Sequence, residues 1–195
     1  MQRDPTEILD YIRLLAENEI QDLALMDVDG WTCLHRVAGI GKADEVKELL
    51  LVGADPTALS KPLGWNALQH AVFYNNEATY FALQPSYGST LVSMSDERGW
   101  TLVHLAATAG NATIIEDLLT SGADPYARSD PSGSEYMDST LFQKSCSPTD
   151  VAANESDDHL KLYMQVVDEY ERKNGVAVRF REVGEASDFF WDASE

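Results

Sequence analysis

Gly39-Ile40-Gly41-Lys42 is the stretch whose residue types come nearest to holding a phosphate. A phosphate loop needs G-x-x-x-x-G-K-[ST], in which backbone N–H groups cradle the anion and the last hydroxyl meets a metal. Here position 36 is Arg and position 43 is Ala, so the pattern fails at both ends. The chain has no G-x-S-x-G elbow to present a serine nucleophile, no H-E-x-x-H to hold zinc and no paired C-x-x-C. Among 33 acidic residues no carboxylate pair stands apart for acid–base work, and most are expected on a solvated surface. Cys33 and Cys146 lie far apart, which fits reduced thiols of a cytoplasmic or nuclear protein better than a disulfide frame. The expectation is no catalytic set, no metal and no cofactor.

Charge narrows the partners. The 33 acidic residues face 14 basic ones in 195 residues, a net charge of −19. Such a field repels polyanions, so nucleic acid is not an expected partner, and a basic protein or peptide is the better electrostatic match. Hydrophobic residues make up 44% of the chain, enough to bury a core. At this length one domain or one short repeat array is expected, as a monomer. No stretch of about 18 apolar residues is present, and Met1-Gln2-Arg3-Asp4-Pro5 turns polar at once, so neither a membrane span nor a secretion signal is expected.

The elements that must position any site come from internal repetition. Gly30-Trp31-Thr32-Cys33-Leu34-His35 recurs as Gly64-Trp65-Asn66-Ala67-Leu68-Gln69 and as Gly99-Trp100-Thr101-Leu102-Val103-His104, in steps of 34 and 35. Gly53-Ala54-Asp55-Pro56 returns as Gly122-Ala123-Asp124-Pro125 at an offset of 69, so two markers agree on one period. Between markers each unit predicts two short helices. Leu34, Val37 and Ala38 share a face, Gly39-Ile40-Gly41 interrupts, and Val46, Leu49 and Leu50 resume the spacing. The third unit repeats this with Val103, Ala106 and Ala107, then Ile114, Ile115, Leu118 and Leu119. A unit of about 33 residues cannot bury its apolar face alone and must stack.

These motifs resemble the ankyrin-repeat family, whose pattern D-G-x-T-P-L-H-L-A-A-x-x-G-H followed by V-x-x-L-L-x-x-G-A-D is matched by Asp29 to His35 and Leu49 to Asp55, and more fully by Gly99 to Asn111. The resemblance implies an all-α solenoid of stacked helix pairs with β-turn fingers. The expected organisation is an N-terminal helical cap over 1–26, repeats over 27–59, 60–94 (degenerate) and 95–127, and an enlarged finger loop over 128–145. A degenerate fourth repeat follows over 146–175, with Cys146 in the tryptophan slot, and then an acidic, aromatic extension over 176–195 with a weak strand signal at its start. In the second unit Asn66 and Gln69 replace Thr and His, and Pro85 cuts the second helix short, so the family's bracing bonds are not carried over there. His35 and His104 take the bracing slot. Arg36 and His70 stand where the third unit has Leu105, either as functional groups or partly exposed near the cap.

The family's groove positions map onto Trp31, Trp65 and Trp100 in the turns and onto Ile40, Phe73, Tyr74, Thr108 and Ala109 on the inner helices. The tryptophans form either a binding ladder or a packed row. Phe189-Phe190-Trp191 either caps the last repeat or serves as a ligand for another protein. The expected function is a non-enzymatic adaptor that holds a protein or peptide, basic in character, in an acidic, aromatic-lined concave groove. The alternative is a small-molecule binder or enzyme with a pocket from the groove, the 128–145 loop and the tail.

Overall fold

A capping residue starts each inner helix, and its chemistry changes from unit to unit. The computed structural model describes residues 23–61, 64–130 and 145–175. Within these the helices are α1 (Cys33–Ile40), α2 (Ala43–Leu51), α3 (Ala67–Phe73), α4 (Glu77–Leu83), α5 (Leu102–Ala109), α6 (Ala112–Thr120), α7 (Pro148–Glu155) and α8 (Asp157–Asn174). Thr32 caps α1, and its N–H donates to His35 Nδ1 at 3.1 Å. At α3 the Asn66 N–H donates to Gln69 Oε1 at 2.9 Å while the Gln69 N–H donates to Asn66 Oδ1 at 3.0 Å. At α7 Ser147 and Asp150 exchange the same two bonds at 2.8 and 3.2 Å. The second unit therefore keeps a brace although Asn66 and Gln69 stand in place of the pattern's Thr and His. Each amide supplies an oxygen that accepts from the other residue's backbone N–H, which is the geometry a capping box requires.

Each inner helix is followed by a tight reversal. Gly41 and Gly110 take φ of 79° and 65°, and Asn75 fills the corresponding place in the second unit with φ 59°. Asparagine is among the few side chains that tolerate this left-handed region. Helix α4 ends at Leu83, two residues before Pro85, and the chain continues through 3₁₀ turns at Gln84–Ser86 and Gly88–Ser93. Among the described residues no strand forms, and the fingers contribute a single bridge between Ser95 and Thr101. The fold is an all-α repeat solenoid.

Inner helices α1, α3, α5 and α7 stack in one row, and outer helices α2, α4, α6 and α8 in a second. Between the rows lies the core, including Leu34, Leu68, Leu105, Leu49, Tyr80 and Tyr163. On α6, Ile114, Ile115, Leu118 and Leu119 are fully buried. At roughly 1.5–3 kcal/mol each, this helix contributes on the order of 6–12 kcal/mol before chain entropy. Two tyrosines tie the loops down, Tyr87 donating to the Pro56 carbonyl and Tyr163 to the Pro125 carbonyl. Most of the expected cap (1–22), most of the finger loop (131–144) and the extension (176–195), with its strand signal, lie outside the described residues.

Candidate interaction surface

Two histidines link successive units. His35 Nε2 lies 3.0 Å from the Trp65 carbonyl, and His104 Nε2 lies 3.1 Å from the Cys146 carbonyl. A carbonyl can only accept, so Nε2 carries the proton in both rings, and Nδ1 accepts from the Thr32 or Thr101 N–H. Burial holds both imidazoles below their ordinary pKa, so they are neutral braces. Cys146 receives the bond that Trp65 receives one brace earlier, so the fourth pair α7/α8 stacks in register.

His70 differs from its expected partial exposure, since only 1% of its surface is accessible. Its ring centre lies 4.2 Å from that of Trp31, 5.5 Å from Trp65 and 5.2 Å from His35, and Nε2 lies 3.0 Å from Ser60 Oγ. The slot is apolar in character, and the tryptophans enclose it. Burial, together with the nearby His35 and Arg36, pushes His70 down to about 3, so it is uncharged at neutral pH. Arg36 is half-buried, donating to Asp27 at 2.7 Å and to Asp29 with its guanidinium 4.4 Å from the Trp31 ring. Partial burial works to raise the Asp27 carboxyl, but bonds from Arg36 and from the Trp31 and Asp29 N–H groups outweigh it and hold the carboxyl below its ordinary value.

The three tryptophans occupy different environments. Trp65 and Trp100 are only 2% and 6% exposed, so these two rungs pack instead of offering an open face. Their cover comes from the third finger. Asp96 accepts from Trp65 Nε1 at 3.0 Å, from Arg98 Nε at 2.8 Å and from the Trp100 N–H at 2.9 Å. The Arg98 guanidinium lies 4.2 Å from the Trp100 ring centre and 5.5 Å from that of Trp65. Trp31 alone of the three is half-exposed.

Open apolar surface gathers beside Trp31. Ile40, Phe73 and Tyr74 are 43%, 38% and 47% exposed. Tyr74 lies 6.3 Å from Trp31 and 5.3 Å from Phe73, between ring centres. Gly39 lies under this pair, where a Cβ would make ordinary contact with the Tyr74 ring at 3.4 Å and the Trp31 ring at 3.6 Å. Thr108 and Ala109 lie half-buried one unit further on, and the Thr108 hydroxyl donates back to the His104 carbonyl at 3.0 Å. The exposed aromatic area thus sits on the first two units.

Residues 34–129 match the family model for ankyrin repeats in three copies. The chain belongs to the ankyrin-repeat family. It is also 32% identical over 102 residues to Tyrosine-protein kinase HTK16 of Hydra vulgaris, an alignment that covers 52% of this chain and 13% of the kinase. That likeness spans only the repeats. Ankyrin repeats are protein-interaction modules, typically without catalytic activity.

Among the described residues no group of His, Cys, Asp and Glu is placed to hold a metal ion, and no helix is long and apolar enough to cross a membrane. Cys33 is half-buried and Cys146 buried, and burial pushes both thiols up, away from nucleophilic thiolate. Sequence reasoning missed the Asp96–Arg98 clamp, although Asp27 and Asp96 recur at the same 69-residue offset as the glycine marker.

Proposed function

We infer that this ankyrin array is a non-enzymatic adaptor that holds a protein or peptide partner against the surface of its first two units. The exposure of Phe73 and Tyr74 in one aromatic cluster with half-exposed Trp31, together with the exposure of Ile40 on the preceding inner helix, carries the reading. Interface energy concentrates in large aromatic side chains set on a rigid base, and here buried Trp65 and His70 supply the base. Thr108 and Ala109 extend the surface toward the third unit. The acidic excess favours a basic partner by raising the encounter rate, while burial of the aromatic patch sets the lifetime of the complex.

The test is quantitative. Partners captured by the wild-type chain are re-measured against Tyr74→Ala and Phe73→Ala. Each exposed truncation should leave the melting temperature within a few degrees and weaken binding by about tenfold or more. Affinity should also fall as salt rises. Full binding by both variants would overturn the site, and salt-independent binding would overturn the basic character of the partner.

A further inference from the structure

The three fingers close in the same way, and this shows which of their residues correspond. The N–H groups of Asp27, Ser60 and Asp96 donate to the carbonyls of Trp31, Trp65 and Trp100 at 2.9, 2.7 and 3.0 Å. In the third finger that place holds a carboxylate, and Asp96 Oδ2 accepts from the indole N–H of Trp65 in the unit before it. In the second finger it holds Ser60, a buried residue whose hydroxyl lies 3.0 Å from His70 Nε2. Ser60 does not take up the corresponding role. Among the described residues the Trp31 indole N–H has no acceptor. The next residue changes sign as well. A Cβ at Gly64 would meet the side chain of Glu97, and one at Gly30 would meet the stem of Lys61, so the two lie across the preceding fingertip in like manner. Lys61 is exposed, and among the described residues its ammonium pairs with no carboxylate.

We propose that the place Asp96 fills for Trp65 is filled for Trp31 by an aspartate or glutamate side chain of the partner, which accepts from Trp31 Nε1 and faces Lys61. The segment that carries it is the one inferred above to lie on Trp31, Phe73 and Tyr74, so the assignment rests on that reading and adds one acidic position to an otherwise basic partner. Arg36 leaves the place open. Its guanidinium lies over the face of the Trp31 ring and is engaged by Asp27 and Asp29, whereas the indole N–H lies in the ring plane. The two donors act differently. A bond from an N–H to a carboxylate is charge-assisted, about twice as strong as a neutral one, and the half-buried ring shields it from water. An exposed ammonium is screened by solvent, so Lys61 steers the acid in more than it holds it.

Selection of a random-peptide display library on the full-length protein tests this. Peptides whose binding is lost in Tyr74→Ala occupy the aromatic patch, and these should share one Asp or Glu position. Replacing that acid by its amide should weaken binding to the wild type about tenfold, but less than about threefold on Trp31→Phe, which keeps a ring and removes the N–H. Lys61→Met should slow association of the acidic peptides at low salt and leave dissociation nearly unchanged. Tyr74-dependent peptides without a shared acid would overturn the carboxylate while leaving the patch as the site. An amide replacement that costs as much on Trp31→Phe as on the wild type would do the same. Peptides indifferent to Tyr74→Ala and Phe73→Ala alike would overturn the site itself, and the carboxylate with it.

Discussion

Replacing His70 by Leu should remove a defined part of the protein's acid sensitivity. The ring is 1% exposed and enclosed by Trp31, Trp65 and His35, and its pKa is pushed down to about 3 from an unfolded value near 6.5. With the folded value depressed, the unfolded chain takes up a proton that the folded chain refuses. The stabilisation is complete above about pH 6.5 and is lost as pH falls toward 3. At about 1.4 kcal/mol per pH unit, His70 alone withdraws about 2 kcal/mol between neutrality and about pH 5. Leu105 fills the same slot in the third unit, so the replacement has a precedent within the chain. Near pH 7 the variant loses the Ser60 contact but also removes the unpaired Nδ1, and its stability should lie within about 1 kcal/mol of wild type. Urea unfolding of both proteins at about pH 7 and pH 5 gives the comparison. Carboxylates and the other buried histidines contribute equally to both, so the wild type should lose about 2 kcal/mol more than the variant. Equal losses would refute the claim that this imidazole is buried uncharged.

Asp96→Ala should cost on the order of 3–5 kcal/mol in urea unfolding, because it takes the carboxylate away from the buried Arg98 guanidinium and the Trp65 indole N–H, and tryptophan emission should shift to the red as the rings gain water. Gly110→Ala should destabilise more than Gly53→Ala. Both sites have positive φ, worth about 1–2 kcal/mol, but a Cβ at Gly110 would also meet the His159 ring at 2.5 Å while Gly53 has open space. Asn66→Ala should lower stability by about 1 kcal/mol, and Asn66→Thr should recover less than the full loss unless Gln69→His accompanies it, as a double-mutant cycle will show.

The fingertip glycines and the 34- and 35-residue steps made the helix pairs legible, because left-handed turns and apolar periodicity leave local marks in a sequence. Pro85 likewise marked the end of α4. The tryptophan environments were not legible. Whether Trp65 faces a groove or packs depends on Arg98, which lies 33 positions away and reaches it only after the fingers stack. His70 posed the same difficulty. Comparison with Leu105 showed an apolar slot, but the enclosing rings come from two different units. Asn66 and Gln69 depart from the Thr/His pattern, yet their amide oxygens accept at the same spacing as the threonine hydroxyl and the histidine Nδ1. Of the groove positions, Ile40, Phe73 and Tyr74 are exposed, whereas Thr108 and Ala109 at the equivalent places of the third unit are half-buried, a difference that repeat position alone does not carry.

The hydroxyls of Tyr80, Tyr87 and Tyr163 have an optical consequence in alkali. Each is turned inward, the first onto Asp117 and the others onto proline carbonyls, and in each burial foremost raises the pKa above its ordinary value of 10. A phenol held neutral in the fold and free to ionise in the open chain supports the native state below about pH 10, and that support fades as pH climbs further. Ultraviolet absorbance at the phenolate band should therefore not follow the smooth curve of free tyrosine. The three inward phenols will instead ionise together in a single steep rise that coincides with the loss of helical dichroism.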